Sequence, residues 1–447
     1  MRIDIPKSKL KRIVIVGGGF AGLTLARKIN NKLFQVVLID KNNYHSFPPL
    51  LYQVATADLP ETSIAFPFRQ IFKNRKNFFF RLAEVKKVIS EKNTVETTIG
   101  KLKYDYLILA SGSKTNFYGI EGLTIRSMPM KTIIEALNIR SMILQNFETA
   151  LSIKNKRKKQ SLMNYVIAGG GPTGVELAGA LGEIKQNVLP NEYPELKSEM
   201  MQITLIQGDK RILPTFSEKA SAKAATYLQK LGVNIQLNSF VTDYFGDYIQ
   251  THDNKDLVAH TLIWTAGVVG NPVNGMESAL QKNSQRFLTD EFNRVEKNDN
   301  IFAVGDIALM INDKFPHGHP MVAQVAIQQA VNLSGNLTKL ISGKALRKFH
   351  YKDKGSMATI GKNKAVAEAG KFKFYGRTAW YVWMFVHLLA LVGFNRKLQV
   401  FIEWLRNYFS KSRGVELILH PFDFVKEKKE RKKEIEIKNR TNHDKNL

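Results

Sequence analysis

Short, almost unbroken apolar runs alternate with stretches of helical periodicity along most of the chain. Residues 12–16 (RIVIV) read as a buried strand, followed by the turn GGGFAG and a helix with Leu23, Leu25, Ala26 and Ile29 on its apolar face. Residues 34–39 (FQVVLI) give a second strand ending at Asp40, and residues 104–110 (YDYLILA) a third, closed by Ser111-Gly112-Ser113. The pattern then starts again. Residues 165–168 predict a strand, GGGPTG a turn, 175–184 a helix and 203–206 the next strand. Further buried strands are expected at 261–266 (TLIWTA) and 301–304 (IFAV), the latter running into Gly305-Asp306. This alternation predicts an α/β fold, with two Rossmann-like domains of open parallel sheets and helices on both faces.

Beyond about residue 340 aromatic and basic residues take over. The apolar run 378–394 (TAWYVWMFVHLLALVGF) has 17 residues and contains His387 and Gly393, against about 20 needed to span a bilayer. His387 reads as a core histidine. A helix over 397–410 would place Phe401, Trp404, Leu405 and Tyr408 on one face, with Gln399, Glu403, Arg406 and Asn407 opposite and Arg396, Lys397, Lys411 and Arg413 nearby. That pattern suits a helix in a membrane interface, with tryptophan at headgroup depth and the cations on anionic lipid. The alternative is a helix packed on the protein's own core or on a second copy. The tail 426–447, rich in Lys and Glu, reads as a solvated helix or as disorder.

With 66 Lys and Arg against 39 Asp and Glu, the net charge is +27, which calls for an anionic partner. Nucleic acid, an anionic membrane surface and a phosphorylated cofactor all qualify. The basic run 154–159 (KNKRKK) is expected to be a solvated loop, and no nucleic-acid-binding motif accompanies it. The chain has no cysteine, which excludes disulfides, thiolate nucleophiles, iron–sulfur clusters and cysteine zinc sites. His317 and His319 flank Gly318 without an evident third ligand, so no metal is expected. Residues 1–10 are short and polar and lead straight into a strand, so folding in the cytosol is expected.

The chemistry is carried by the two turns. Gly17-x-Gly19-x-x-Gly22 follows a strand and opens a helix; its glycines let a pyrophosphate approach backbone N–H groups at the helix N-terminus. Asp40, 18 residues after Gly22, ends the next strand where a carboxylate can bond ribose hydroxyls. Gly169-x-Gly171-x-x-Gly174 repeats the arrangement, so one dinucleotide per turn is the economical reading. The second acid position departs from the pattern: Gln207 stands there, followed by Gly208, Asp209, Lys210 and Arg211. Gln207 can accept a hydrogen bond but does not repel a 2′-phosphate, so NADH is preferred without NADPH being excluded.

GGGFAGL, YHSFPPLLYQVATADL, LILASGS, GGGPTGVELAGAL, IWTAGV, AVGD and AQVAIQQA occur in this order. Together they resemble the type II NADH dehydrogenases, the single-subunit, non-pumping NADH:quinone oxidoreductases, over about residues 10–410. The most specific parts are AQVAIQQ (323–329), GSMATIGKNKAV (355–366) and the aromatic C-terminus. The resemblance implies FAD on the first turn, at Gly17, Gly19, Phe20, Ala21 and Gly22. Asp40 and Lys41 would lie at its ribose, Ala110 and Gly112 at its phosphates, and Asp306 at the ribityl chain, with Val85 and Gly305 completing the site. NADH would lie on Gly169, Gly171, Pro172, Thr173 and Gly174, with Gln207 and Gly267. Glu176 would be the acidic residue near flavin and nicotinamide, Gln324 and Gln328 the pair where the quinone enters beside the flavin, and Lys364 part of the segment lining that site.

The implied organisation is an FAD domain over 1–120 and 271–345, an inserted NADH domain over 121–270, a quinone-site and membrane-anchoring region over 346–425, and the tail. The implied partners are NADH, a membrane quinone (menaquinone or ubiquinone), anionic lipid and a second copy, with no nucleic acid. The implied place is the cytoplasmic face of the cell membrane, held peripherally. Disulfide reductases and sulfide:quinone oxidoreductases of the same superfamily need redox cysteines, which this chain lacks. A soluble ferredoxin-reductase-like enzyme would leave the aromatic, basic C-terminus unexplained, and a nucleic-acid-binding flavoprotein would rest on the basic runs alone.

Overall fold

The computed structural model describes residues 3–409, and beyond them 417–418, 421–423, 427–433 and 436. Lys411, Arg413 and most of the charged tail lie outside the described residues, whereas 427–433 are helical. The chain divides into two compact units. The first comprises Met1–Ser46, Ala65–Lys114 and Val268–Lys354; the second comprises Phe47–Ile64, Thr115–Gly267 and Gly355–Leu447.

The first unit is built on a parallel sheet ordered Ile301–Ala303, Tyr106–Leu109, Lys11–Val16, Phe34–Asp40, Phe78–Leu82. Phe34 to Ile39 are all buried because the sheet is covered on both faces. One face carries Val14, Val16, Val37 and Ile39 against Val88, Val95 and Leu102 of an antiparallel ribbon. The helices Phe20–Lys28 and Ala323–Ile341 pack on each other, with Gly305 wedged so that a Cβ there would lie 3.2 Å from both Ala21 and Ala326.

The second unit repeats the plan with strands Met128–Pro129, Thr261–Trp264, Asn164–Ala168, Gln202–Gln207 and Val233–Leu237, all parallel. Helix Ile133–Ser152 starts from a capping box in which Thr132 and Glu135 satisfy each other's backbone N–H groups. Helix Pro172–Glu183 starts three residues earlier than its apolar pattern suggests, because Pro172 is preset for the first helical turn, and it runs on into a π-helical turn, Ile184–Val188. The strand at 261–264 stops two residues short of the expected 266: Thr265 turns its hydroxyl onto the carbonyls of Ala168 and Gly169.

The basic run also departs from expectation. It forms the start of helix Lys156–Met163, because the Asn155 side chain accepts the Lys158 N–H as an N-cap. Lys158 Nζ (2.9 Å), Ser161 Oγ (2.5 Å) and the His260 ring (3.0 Å) converge on Asp247.

Residues 356–375 form an antiparallel ribbon, Ser356–Thr359, Ala365–Ala369 and Phe372–Tyr375. Its small Ala365 and Ala367 allow close packing of Ala379 and Trp380 from helix Arg377–Ala390. Helix Phe394–Phe409 corrects the expected orientation of the C-terminus. Trp404 is buried, not held at headgroup depth, and Val400 and Asn407 share its inward face. The indole N–H donates to Gln53 Oε1 (2.9 Å) and Asn407 Nδ2 to the Asp58 carbonyl (2.5 Å), so polar partners inside the protein draw this face inward. Leu398, Phe401, Ile402, Leu405 and Phe409 are left exposed on the outer stripe.

The Asp247 cluster makes a testable contribution. Its hydrogen bond from His260, then those from Ser161 and Lys158, hold the carboxyl well below the usual range against the opposing effect of burial. A depressed carboxylate stabilises the fold above its unfolded pKa and loses that contribution as pH falls. Asp247→Ala is expected to lower stability by about 1–2 kcal/mol at pH 7, with the gap from the parent closing below about pH 4, as read by thermal unfolding across a pH series.

Candidate active site

In the first unit the turn after Lys11–Val16 is shaped by contact, not only by composition. A Cβ on Gly22 would sit 1.8 Å from the Gly17 carbonyl, and Gly17, at φ +98°, lies against Ala110 O. Gly19 and Gly112 face open space instead, so the surface there is a cradle that side chains would fill. Asp40 ends the neighbouring strand with Oδ2 accepting the Gly18 N–H (2.6 Å) and Oδ1 the Asn42 N–H (2.7 Å). Burial raises its pKa; those two N–H groups and Lys41 act the other way. Across the sheet, Ser113 Oγ donates to Asp306 Oδ2 (2.5 Å), and Gly305 offers its N–H to Gln329 Oε1 (2.7 Å).

Open backbone at a helix N-terminus, with a carboxylate at the strand end and a second at Asp306, suits a dinucleotide pyrophosphate with its sugars. Lys41 is exposed beside Asp40, whereas Val85 is half-buried and packs into the hydrophobic core of this unit. His45 was missed by the sequence reading: it is buried, with Nδ1 2.9 Å from the Gly18 carbonyl, and burial holds its pKa down at about 4.

The second turn is a copy in neutral chemistry. Gly174 closes on Gly169, and Gly171 faces open space with Pro172 and Thr173 opening the helix. Gln207 Oε1 accepts the Gly170 N–H at 2.6 Å, the position Asp40 takes in the first unit. Its Nε2 then donates to Asp209 Oδ2 at 2.5 Å. A carboxylate is therefore held two residues past the strand end. Gly267 is not open: a Cβ there would meet the Tyr118 hydroxyl at 2.4 Å.

Glu176 lies on helix Pro172–Glu183, 8% exposed, under the ribbon strand Ser356–Thr359. Gly179 permits this approach, since a Cβ there would already be 3.1 Å from the backbone of Ile360 and Gly361. Thr359 N–H reaches Glu176 Oε1 at 3.4 Å. Burial pushes the carboxyl up to about 8, opposed by that N–H and the nearby Trp383 indole. At neutral pH Glu176 is therefore mostly a neutral acid.

Beside it opens a small cavity whose wall includes Tyr52, Thr359, Trp380, Trp383, Trp404 and Tyr408. Its charged lining is Asp58, Glu183 and Lys362. Lys362 donates its N–H to Glu183 and its Nζ to the Asn407 carbonyl. Lys364 is half-buried in the same turn, with its carbonyl accepting the Ile360 N–H at 2.8 Å, but it does not line this cavity. His387 is stacked on Trp383 and bonded to its carbonyl, held neutral by burial with a pKa of about 4.

In the first unit Gln324 and Gln328 clasp a backbone segment. Gln324 Oε1 accepts the Lys354 N–H (2.9 Å); Gln328 Oε1 accepts the Lys352 N–H (3.0 Å) and its Nε2 donates to the Lys352 carbonyl (2.8 Å). His319 is buried among Phe315, Phe349 and Tyr351, and His317 is exposed. Among the described residues no group of three metal-binding side chains comes together.

Comparison with known proteins agrees with this architecture. Residues 11–330 match the family model described as pyridine nucleotide-disulphide oxidoreductase, and residues 353–412 match the NDH2 C-terminal domain. The type II NADH:quinone oxidoreductase NdhA of Mycobacterium tuberculosis is 33% identical over 420 residues, covering 90% of this chain and 88% of that protein. The type II NADH:quinone oxidoreductase of Haemophilus influenzae is 29% identical over 384 residues, covering 78% and 85% respectively. The structure of NDH2 from Plasmodium falciparum in complex with NADH superposes with a TM-score of 0.85 at 23% identity, covering 91% of this chain and 99% of that one, a likeness of fold.

The buried acid yields a test that needs no substrate. A carboxyl raised in the folded state binds its proton more tightly there than in the unfolded chain, so stability declines as pH rises from about 4.5 through about 8. Glu176→Gln removes this dependence. Its melting temperature is expected to gain on the parent's across that interval and to hold a constant lead above it; a gap independent of pH would show that the carboxyl titrates normally.

Proposed function

The chain belongs to the type II NADH:quinone oxidoreductase family, and on that premise we propose how its own residues serve FAD-dependent transfer from NADH to a quinone. The observation that carries the reading is the pair of nucleotide cradles, one clasped by Asp40 and the other by Gln207. The first has open glycines at 19 and 112 and two acids, Asp40 and Asp306, suited to ribose and ribityl hydroxyls, and we assign it FAD. Bound FAD supplies the redox chemistry, taking up the hydride of NADH and giving two electrons onward.

The second cradle binds NADH through the backbone around Gly169, Gly171 and Gly174. Asp209, presented by Gln207, supplies the negative charge that the strand end itself lacks. A carboxylate there accepts from a 2′-hydroxyl and repels a 2′-phosphate, which supports a preference for NADH.

Quinone reduction consumes two protons. Glu176, neutral near pH 7 because it is buried, is a proton donor next to the aromatic cavity, and that cavity is where we place the quinone. Its mixture of indole and phenol rings with a few polar groups suits a planar, apolar ring with polar edges. Gln324 and Gln328 act by holding residues 352–354 in place.

Membrane attachment follows from the last two helices. Among the described residues no helix is long and apolar enough to cross a membrane. Phe385 and Leu389 on one helix, and Leu398, Phe401, Ile402, Leu405 and Phe409 on the next, form an exposed apolar surface on a chain of net charge +27. That combination supports peripheral attachment to an anionic bilayer, at its cytoplasmic face.

Two experiments test the reading. Anaerobic addition of NADH to the purified protein should bleach a flavin spectrum, and a quinone analogue should restore it. NADPH should act more slowly, with Asp209→Asn narrowing the difference. Absence of flavin, or of reoxidation by quinone, would refute the assignment. Phe401→Glu combined with Leu405→Glu should release the protein from phosphatidylglycerol-containing vesicles in a sedimentation assay, whereas raising salt should weaken parental binding only in part, because the apolar contribution persists.

A further inference from the structure

We propose that the Thr359 hydroxyl is the hydrogen-bond donor that fixes a quinone carbonyl in the aromatic cavity, and that its direction is imposed from helix Phe394–Phe409 through Trp404, Gln53 and Tyr52. The proposal rests on the placement of the quinone in that cavity.

The direction follows from the donor inventory alone. An indole N–H can only donate. Trp404 Nε1 lies 2.9 Å from Gln53 Oε1, which fixes which end of the amide faces it. Gln53 Nε2 therefore faces Tyr52 Oη, 3.1 Å away, and it too can only donate. Tyr52 is 6% exposed, and its one remaining polar partner is Thr359 Oγ1 at 2.9 Å. The phenolic hydrogen has no other acceptor among the described residues, so Tyr52 donates and Thr359 accepts. The Thr359 hydrogen must then go elsewhere.

Thr359 is 3% exposed and lines the cavity, and no protein acceptor among the described residues receives its hydroxyl. The Trp383 N–H, on the same wall, is turned to the Glu176 carboxyl. Of the charged groups on the wall, Glu183 accepts the Lys362 N–H and Lys362 Nζ donates to the Asn407 carbonyl. Buried donors without acceptors are unfavourable. The spare Thr359 hydroxyl hydrogen calls for an acceptor on the ligand, while Asn407 Oδ1 on the same wall is an acceptor without a protein partner among the described residues. A quinone carbonyl supplies such an acceptor.

The full-length flavoprotein allows a direct test, because three of its four tryptophans line the cavity and report binding by fluorescence. Titration with a short-chain ubiquinone analogue should give a Kd about 3- to 10-fold weaker for Thr359→Val than for the parent. KM for the analogue should rise in parallel, and Thr359→Ser should restore both. Trp404→Phe should weaken binding through the same chain, so that the double variant Trp404→Phe/Thr359→Val is no worse than Thr359→Val alone. Parent-like quinone affinity in Thr359→Val, or failure of Thr359→Ser to restore it at an unchanged melting temperature, would overturn the donor assignment. Additive losses in the double variant would overturn its control from the last helix. A parent that neither binds the analogue nor is reoxidised by it would instead remove the quinone from this cavity.

Discussion

Both nucleotide folds depend on one contact, a side chain at the end of the second strand that accepts the N–H of the middle glycine in the preceding turn. Asp40 takes Gly18 and Gln207 takes Gly170, each at 2.6 Å. The bond ties strand end to helix start, so the turn cannot open without stranding a buried donor. The cradle over Gly19 and Gly171 exists because that tie holds. The tie is geometric and indifferent to charge, which is why a glutamine can replace an aspartate without altering the turn. What the exchange alters is the electrostatics around the ligand, and Asp209 returns a carboxylate nearby through the free end of the amide.

A second constraint governs the ribbon and helices that follow. Glu176 sits in a helix whose neighbours are Gly, Val, Leu and Ala, and its one backbone donor, Thr359 N–H, is long. Such a site favours the neutral acid. The polar side chains around it form a directed sequence from an indole to a hydroxyl, and each member has its orientation settled by the one before it. Low polarity and directed donors are complementary here: the first keeps the proton on the acid, and the second leaves hydrogen-bonding capacity only where the cavity opens.

Much of this was legible in the chain itself. The buried strands were readable because a strand covered on both faces needs a continuous apolar run, as 34–39 and 203–206 show. The turns were readable because closely approaching backbone leaves room only for glycine. Other features lay beyond local pattern. Gln53, Tyr52 and Thr359 acquire their meaning from partners hundreds of residues away, and no spacing announces that. The basic run at 154–159 has the composition of a solvated loop, yet the Asn155 cap starts a helix within it. The orientation of Trp404 is not legible in the chain, because amphipathic periodicity fixes the stripe's width but not which side meets the protein. The sequence reading counted the tryptophan with the apolar face, whereas its N–H, together with Asn407, made the opposite side the bonded one.

The last helix turns Trp404 and Asn407 inward, where they hydrogen-bond, and leaves most of its large apolar groups outward. Trp404 and Tyr408 form part of the cavity wall, while Leu405 and Phe409, adjacent to them in the chain, face away. The partition between the cavity and the outer surface is consequently a single helix, about 10 Å thick. With the quinone placed as proposed, a long-tailed molecule would have its ring inside that wall and its tail among acyl chains. Solubility in water then ceases to limit the substrate, and its concentration is set by how much of it the bilayer dissolves.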